Sequence, residues 1–165
     1  MNKLLVLLIA VGLLLSGCAQ PSIPSAEPGP GKVEAPPELH DKTWISPGKV
    51  MVGNFHPGAR AEWPLTIHNG KSEPAQFEVR YREPGSVDEG YIKAPSIVQD
   101  WVIIADPTPL LEAFETREVL IALVMPEDAE SPAPKWEFWI AVKDVTQTGM
   151  IQTELATKWL VTMRD

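Results

Sequence analysis

The chain has 165 residues, with 14 basic and 22 acidic side chains and a net charge of −8 at pH 7. That length suits one domain plus a tether, and the acidic balance argues against nucleic acid as a partner, because phosphate recognition needs a basic patch. There is one cysteine, which excludes an internal disulfide framework, so the domain must stand on a hydrophobic core drawn from six Trp, two Tyr, four Phe and the aliphatic residues.

The first residues divide into three parts. Met1-Asn2-Lys3 is a short positive start, Leu4 to Leu15 is apolar apart from Gly12, and Ser16-Gly17 supplies small residues before Cys18. This order is that of a secretory signal. The apolar run is too short to span a bilayer as a stable helix, which needs roughly 20 residues. Leu15-Ser16-Gly17-Cys18 resembles the lipobox of bacterial lipoproteins. The resemblance implies a signal peptide over 1–17, cleavage between Gly17 and Cys18, and a diacylglyceryl group with palmitate-type acylation on Cys18. It implies a chain held at the cell membrane or outer membrane, facing away from the cytoplasm. Residue 19 is Ala rather than Asp, so by the same resemblance nothing requires inner-membrane retention. Lys3 leaves with the leader, which makes the mature chain one unit more acidic and disfavours docking on anionic lipid.

Residues 18–40 read as a tether. Pro21, Pro24, Pro28, Pro30, Pro36 and Pro37 punctuate a segment whose large apolar residues are almost confined to Ile23 and Val33. Such a stretch cannot bury enough surface to offset its ordering entropy, so a disordered or extended spacer is expected.

From residue 41 to 165 the pattern becomes short alternating segments broken by turn residues. Strands are expected at Lys49–Asn54, Ala59–Asn69, Ala75–Glu83, Asp100–Ala105, Arg117–Met125, Lys135–Asp144 and Ile151–Met163. In the second, Ala61, Trp63, Leu65 and Ile67 face the core, and Glu62, Thr66 and His68 face water; Asn69-Gly70 then signals a turn. In the third, Phe77, Val79 and Tyr81 oppose Glu78, Arg80 and Arg82. In the sixth, Trp136, Phe138, Ile140 and Val142 share one face, and Trp139 lies on the other. In the last, Leu155, Trp159, Val161 and Met163 fall on odd positions. Pro64 places its strand at an edge or a kink. About seven strands with Gly/Pro turns and one-faced alternation predict a single antiparallel β-sandwich, an all-β domain following an N-terminal signal helix and the tether.

The order of landmarks resembles the bacterial immunoglobulin-like domains that include the NEW3 and major-sperm-protein-like sandwiches. Those landmarks are Pro57-Gly58, Leu65-Thr66-Ile67-His68-Asn69, Phe77, Trp101, Val119 to Pro126, and Trp136 to Met163. The paired cysteines of antibody domains are missing. The resemblance implies a spacer, adhesion or scaffold module.

Chemistry is sparse. His40, His56 and His68 are scattered over tether, turn and the polar face of a strand, and read as solvated; His56 and His68 would need to meet near Glu62 to offer a metal ligand set. No Gly-x-Ser-x-Gly elbow marks a hydrolase. Asp88-Glu89-Gly90 and Glu127-Asp128-Ala129-Glu130 read as solvated acidic turns without the spacing of a calcium loop. No cofactor or metal is expected. Trp139, and Trp44 ahead of the first strand, are the candidate partner surface, since an exposed indole can stack on a sugar or anchor a protein. The expected function is a lipid-anchored, non-catalytic binding or scaffold module for an envelope protein or glycan. The alternative is an accessory subunit stabilising a membrane-bound enzyme or transporter.

Overall fold

The computed structural model describes residues 36–146 and 153–164. Cys18, the leader, the tether up to residue 35 and the turn expected at Gly149 lie outside the described residues. No helix among the described residues is long and apolar enough to cross a membrane.

Among the described residues ten strands form two sheets: β1 (Trp44–Ser46), β2 (Lys49–Phe55), β3 (Arg60–His68), β4 (Ala75–Arg82), β5 (Ile92–Lys93), β6 (Val102–Ile104), β7 (Leu110–Leu111), β8 (Thr116–Val124), β9 (Lys135–Asp144) and β10 (Glu154–Met163). One sheet runs β1-β3-β8-β6, and the other runs β2-β10-β9-β4-β7 with β5 added beside β9. All seven expected strands are present. β1, β5 and β7 are additional, and two or three residues are too few for a period of two to register. Most pairs are antiparallel, but β2 runs parallel to β10 and β5 parallel to β9. The parallel β2 pair arises because the chain leaves β1 in one sheet and joins β10 at the edge of the other.

The core forms where the inward rows of the two sheets meet. Leu65, Ile67, Val119, Ile121 and Leu123 face Phe77, Val79, Trp136, Phe138, Ile140, Val142, Trp159 and Val161, all fully or almost fully buried. Phe138 is the aromatic hub, 5.5 Å from the Trp159 ring and 5.6 Å from the Tyr81 ring. Each large side chain so buried contributes about 1.5–3 kcal/mol relative to exposure. Trp101, expected on a strand, instead ends a 3-10 helix over Ser96–Trp101, and is still buried.

Pro64 follows from hydrogen-bond parity. Asn69 N–H donates to the Glu115 carbonyl and Met125 N–H to the Ala59 carbonyl. Odd residues of β3 therefore bond to β8, and even residues turn their N–H toward β1. β1 ends at Ser46, opposite Thr66, so the missing N–H of Pro64 falls where β3 has no further neighbour.

The same edge corrects the reading of Trp63. Its parity is inward, paired with Ile121, yet it is 48% exposed, because β1 stops short of it and leaves that margin of the sandwich uncovered.

Asn69-Gly70 does not close a hairpin. Neither residue has a positive φ, and the segment carries the chain from β3 in one sheet to β4 in the other. Gly70 is required for space. A Cβ there would run into the Lys42 carbonyl carbon and lie 2.5 Å from the Thr43 nitrogen. Gly70→Ala is therefore expected to push residues 40–43 off the sandwich and to cost about 1–3 kcal/mol, as overpacking does. Urea denaturation checks this, and an unchanged midpoint would refute the close approach.

Candidate functional site

Three surfaces carry the functional residues. The first is the outer face of the β2-β10-β9-β4 sheet, which contains Trp139. Residues 83–95 cross this face as a strap. Glu137 lies beneath it, completely buried although its parity points outward. Its carboxylate accepts the Asp88 N–H at 2.7 Å and the Trp139 Nε1–H at 2.6 Å, and its backbone carbonyl accepts the Ala94 N–H at 2.8 Å. Asp88, expected as a solvated turn residue, instead accepts from Lys49 Nζ at 2.7 Å and Lys158 Nζ at 2.6 Å. Trp139 is half-buried, with the Arg82 guanidinium 6.0 Å and the Lys158 ammonium 5.9 Å from its ring. Its N–H and part of its ring are thus already engaged. Glu127, Asp128 and Glu130 do remain exposed.

The second surface is the corner at the start of the domain. Trp44 does not precede the first strand; it opens β1, half-buried, and stacks on His68 at 5.4 Å. His68, expected to be solvated, is completely buried. Its Nε2–H donates to the His40 carbonyl at 3.0 Å, so its Nδ1 accepts from the Thr116 hydroxyl at 2.9 Å. The His40 ring stacks on Phe114 at 4.4 Å. These contacts show the sandwich reaching back to His40, inside the segment read as tether. Beside them Asn69 is also completely buried. Its amide donates to the carbonyls of Glu73 and Glu112, both at 2.9 Å, and of Leu111, and its Oδ1 accepts the Lys71 N–H at 3.1 Å. His56 sits at the other end of β3, roughly 25 Å away at about 3.3 Å per residue, so it does not meet His68. Among the described residues no group of three His, Cys, Asp or Glu could hold a metal ion.

The third surface is the outer face of the β1-β3-β8-β6 sheet. Pro64 lies directly opposite Leu120, and Ile103 directly opposite Ala122 in the next row. Leu120 is 42% and Ile103 50% exposed. Arg60 and Glu62 pair with each other at one end, and the exposed Glu118, opposite Thr66, lies toward the other. The result is an apolar centre with charged ends. Arg117–Met125 is nearly all apolar, so alternation assigned it no outward face and Leu120 no role.

Three carboxylates tie the folded state to pH. Burial pushes the Asp144 carboxyl up, but Lys71 and the hydroxyl and N–H of Thr146 outweigh it and hold the group below its ordinary range. Burial likewise opposes, and the Glu112 N–H and Arg117 overcome, in lowering Glu115. Lys158 and Lys49 lower Asp88 by hydrogen bonding. A carboxylate whose folded-state pKa is depressed adds stability above its unfolded pKa and loses it as pH falls through the folded value. Stability should therefore be flat from neutral down to about pH 5 and fall below about pH 4. Asp144→Asn should flatten that acid limb in denaturant midpoints measured against pH; an unchanged limb would refute the assignment.

No family model matches the chain, and no curated protein matches it in sequence. Solved structures do match. PapD-like domain 7 of human CEP192 superposes with a TM-score of 0.53 at 15% identity, over 93% of this chain and 97% of that one. The fold is a PapD-like, immunoglobulin-type β-sandwich. The periplasmic chaperone SfaE matches with a TM-score of 0.51 at 10% identity, over 74% of this chain and 58% of its own. A protein from Bacteroides ovatus described as a putative carbohydrate binding protein gives 0.56 at 10% identity, over 75% of this chain and 37% of its own. The PapD-like sandwich thus spans little more than half of the chaperone and about a third of the Bacteroides protein.

Proposed function

We propose that this chain is a non-catalytic binding module, lipid-anchored in the cell envelope through Cys18, that engages another envelope protein with the outer face of its β1-β3-β8-β6 sheet. The observation that carries the reading is the patch of Pro64, Leu120 and Ile103, apolar and open, with Arg60 and Glu62 toward one end and Glu118 toward the other. An apolar centre inside a polar rim is the anatomy of a protein interface. The overall acidity of the chain disfavours anionic lipid as the occupant. The lipobox resemblance supports the location, and a PapD-like sandwich is compatible with a scaffold role: one structural match is to a chain of a chaperone–tip adhesion subunit complex from Acinetobacter baumannii.

The test is a crosslinking pull-down from native membranes, comparing the native chain with the double variant Ile103→Glu, Leu120→Glu. The native chain should capture a defined protein partner, and the double variant at least about tenfold less, as expected when a central apolar anchor is lost. Full retention by the variant would exclude this face. A clean absence of specific partners for the native chain would sink the binding reading.

A further inference from the structure

A cleft of roughly 430 Å³ lies beside the C-terminal end of β4, lined by Arg80, Tyr81, Arg82, Glu83, Ser96 and Gln99, with Ala94 below. Its volume falls within the range of small-molecule sites, about 300–1,000 Å³.

The cleft exists because the strand that should cover β4 stops early. Val145 N–H donates to the Gln76 carbonyl, so even residues of β4 bond to β9 and odd residues turn outward. The Phe77 N–H is taken by the Pro109 carbonyl and the Val79 N–H by the Pro107 carbonyl. Tyr81 is next in that row, and its N–H has no backbone partner among the described residues. Its hydroxyl is shielded from solvent and likewise has no partner there. Burial first, and then Glu83, push the Tyr81 pKa up, so the phenol stays a proton donor at neutral pH. The Ser96 hydroxyl and the Gln99 carboxamide are exposed on the opposite wall with no side-chain partner among the described residues.

Every charge at the cleft is already compensated. Arg80 and Arg82 both pair with Glu154, Arg80 also reaches Glu78 at 3.5 Å, and Glu83 pairs with Lys93 at 3.1 Å. An anionic ligand would have to displace Glu154 or Glu83, and a cation would have to displace Lys93. What remains free is a mixed set of neutral donors and acceptors around an aromatic residue. Sugar hydroxyls, each both donor and acceptor, match such a set. An added peptide strand fits less well, because only Tyr81 to Glu83 are left uncovered, far short of a normal strand of about 5–6 residues.

We infer that this cleft is a binding site for a neutral oligosaccharide, held by the Tyr81 backbone N–H on one wall and by the exposed Ser96 hydroxyl and Gln99 carboxamide on the other. It is separate from the protein-binding face, and either can fail without the other.

The test uses the mature chain without its lipid, 15N-labelled, titrated with cello-, malto-, manno- and chitotetraose, with tetragalacturonate as the anionic probe. At least one neutral tetramer should give saturable shifts at Tyr81–Glu83 and Ala94–Gln99, with a Kd of about 1 mM or below. Gln99→Ala, at an exposed position, should weaken that binding roughly tenfold, about one lost hydrogen bond, and leave the thermal midpoint unchanged. Ser96→Ala, also at an exposed position, should weaken it similarly. No saturable shift from any neutral tetramer up to about ten times that concentration would overturn the site, as would shifts confined to tetragalacturonate or to residues outside the cleft. Binding unaffected by both variants would do the same.

Discussion

Replacing Asn69 by alanine should lower the stability of the domain by about 3 kcal/mol, read as a shift of the urea midpoint at unchanged m-value. The side chain is completely sealed from water and bridges two connections, residues 70–73 and 111–115. Truncation removes one acceptor and both donors, and leaves the carbonyls of Glu73 and Glu112 and the N–H of Lys71 without their partner. A buried polar group left unpaired costs about 1–3 kcal/mol, and alanine leaves too little room for water to satisfy all of them at once. Asn69→Asp should be at least as damaging, because a carboxylate keeps the acceptor for Lys71 but presents negative oxygen to carbonyls that need a donor. A loss below about 0.5 kcal/mol for the alanine variant would mean that the corner is held by other contacts. The Phe114 N–H bond to the Lys71 carbonyl at 3.1 Å is the nearest candidate.

The second large effect concerns location. Cys18→Ser should move the protein from the membrane pellet to the soluble fraction almost completely and abolish metabolic palmitate labelling. One acyl chain binds a membrane only marginally and two hold it stably. A lipobox cysteine would carry a diacylglyceryl group and an acylated amine, so loss of the thiol removes every chain together. Lys3 is the only charge ahead of Cys18, so no polybasic segment stands in reserve. Membrane retention of the serine variant would show that the leader itself stays as the anchor. Labelling retained without Cys18 would contradict the lipobox reading, since the chain has no second cysteine.

The sheets were legible because alternation survives in the sequence. Trp136, Phe138, Ile140 and Val142 point to the core as their spacing requires, and so do Phe77 and Val79. What alternation could not convey is cover. His68 and Glu137 both occupy outward positions, and both are completely buried. Irregular segments lie over them: residues 40–44 fold back on His68, and the 83–95 strap closes over Glu137. Trp63 is the reverse case, inward by parity but uncovered because β1 ends early. Such outcomes depend on where non-repeating segments travel, which a period of two does not encode. Burying an acid is costly unless it is paired, and once the strap covers Glu137 the donors come from Asp88 and Trp139. The candidate surface was less legible still. Pro64 and Leu120 become neighbours only through the β3–β8 register, and the cleft beside Tyr81 depends on where the segment containing Pro107 stops.

Site-specific photo-crosslinking in native membranes tests the central claim most directly. A photoreactive residue at position 120, on the open apolar row, is compared with one at position 143 on the outer face of the other sheet. A lipid-anchored module that binds through its β1-β3-β8-β6 sheet predicts a discrete protein adduct from position 120, lost on Cys18→Ser, and no such adduct from position 143. Adducts of equal yield from both positions, or none from position 120, would contradict it.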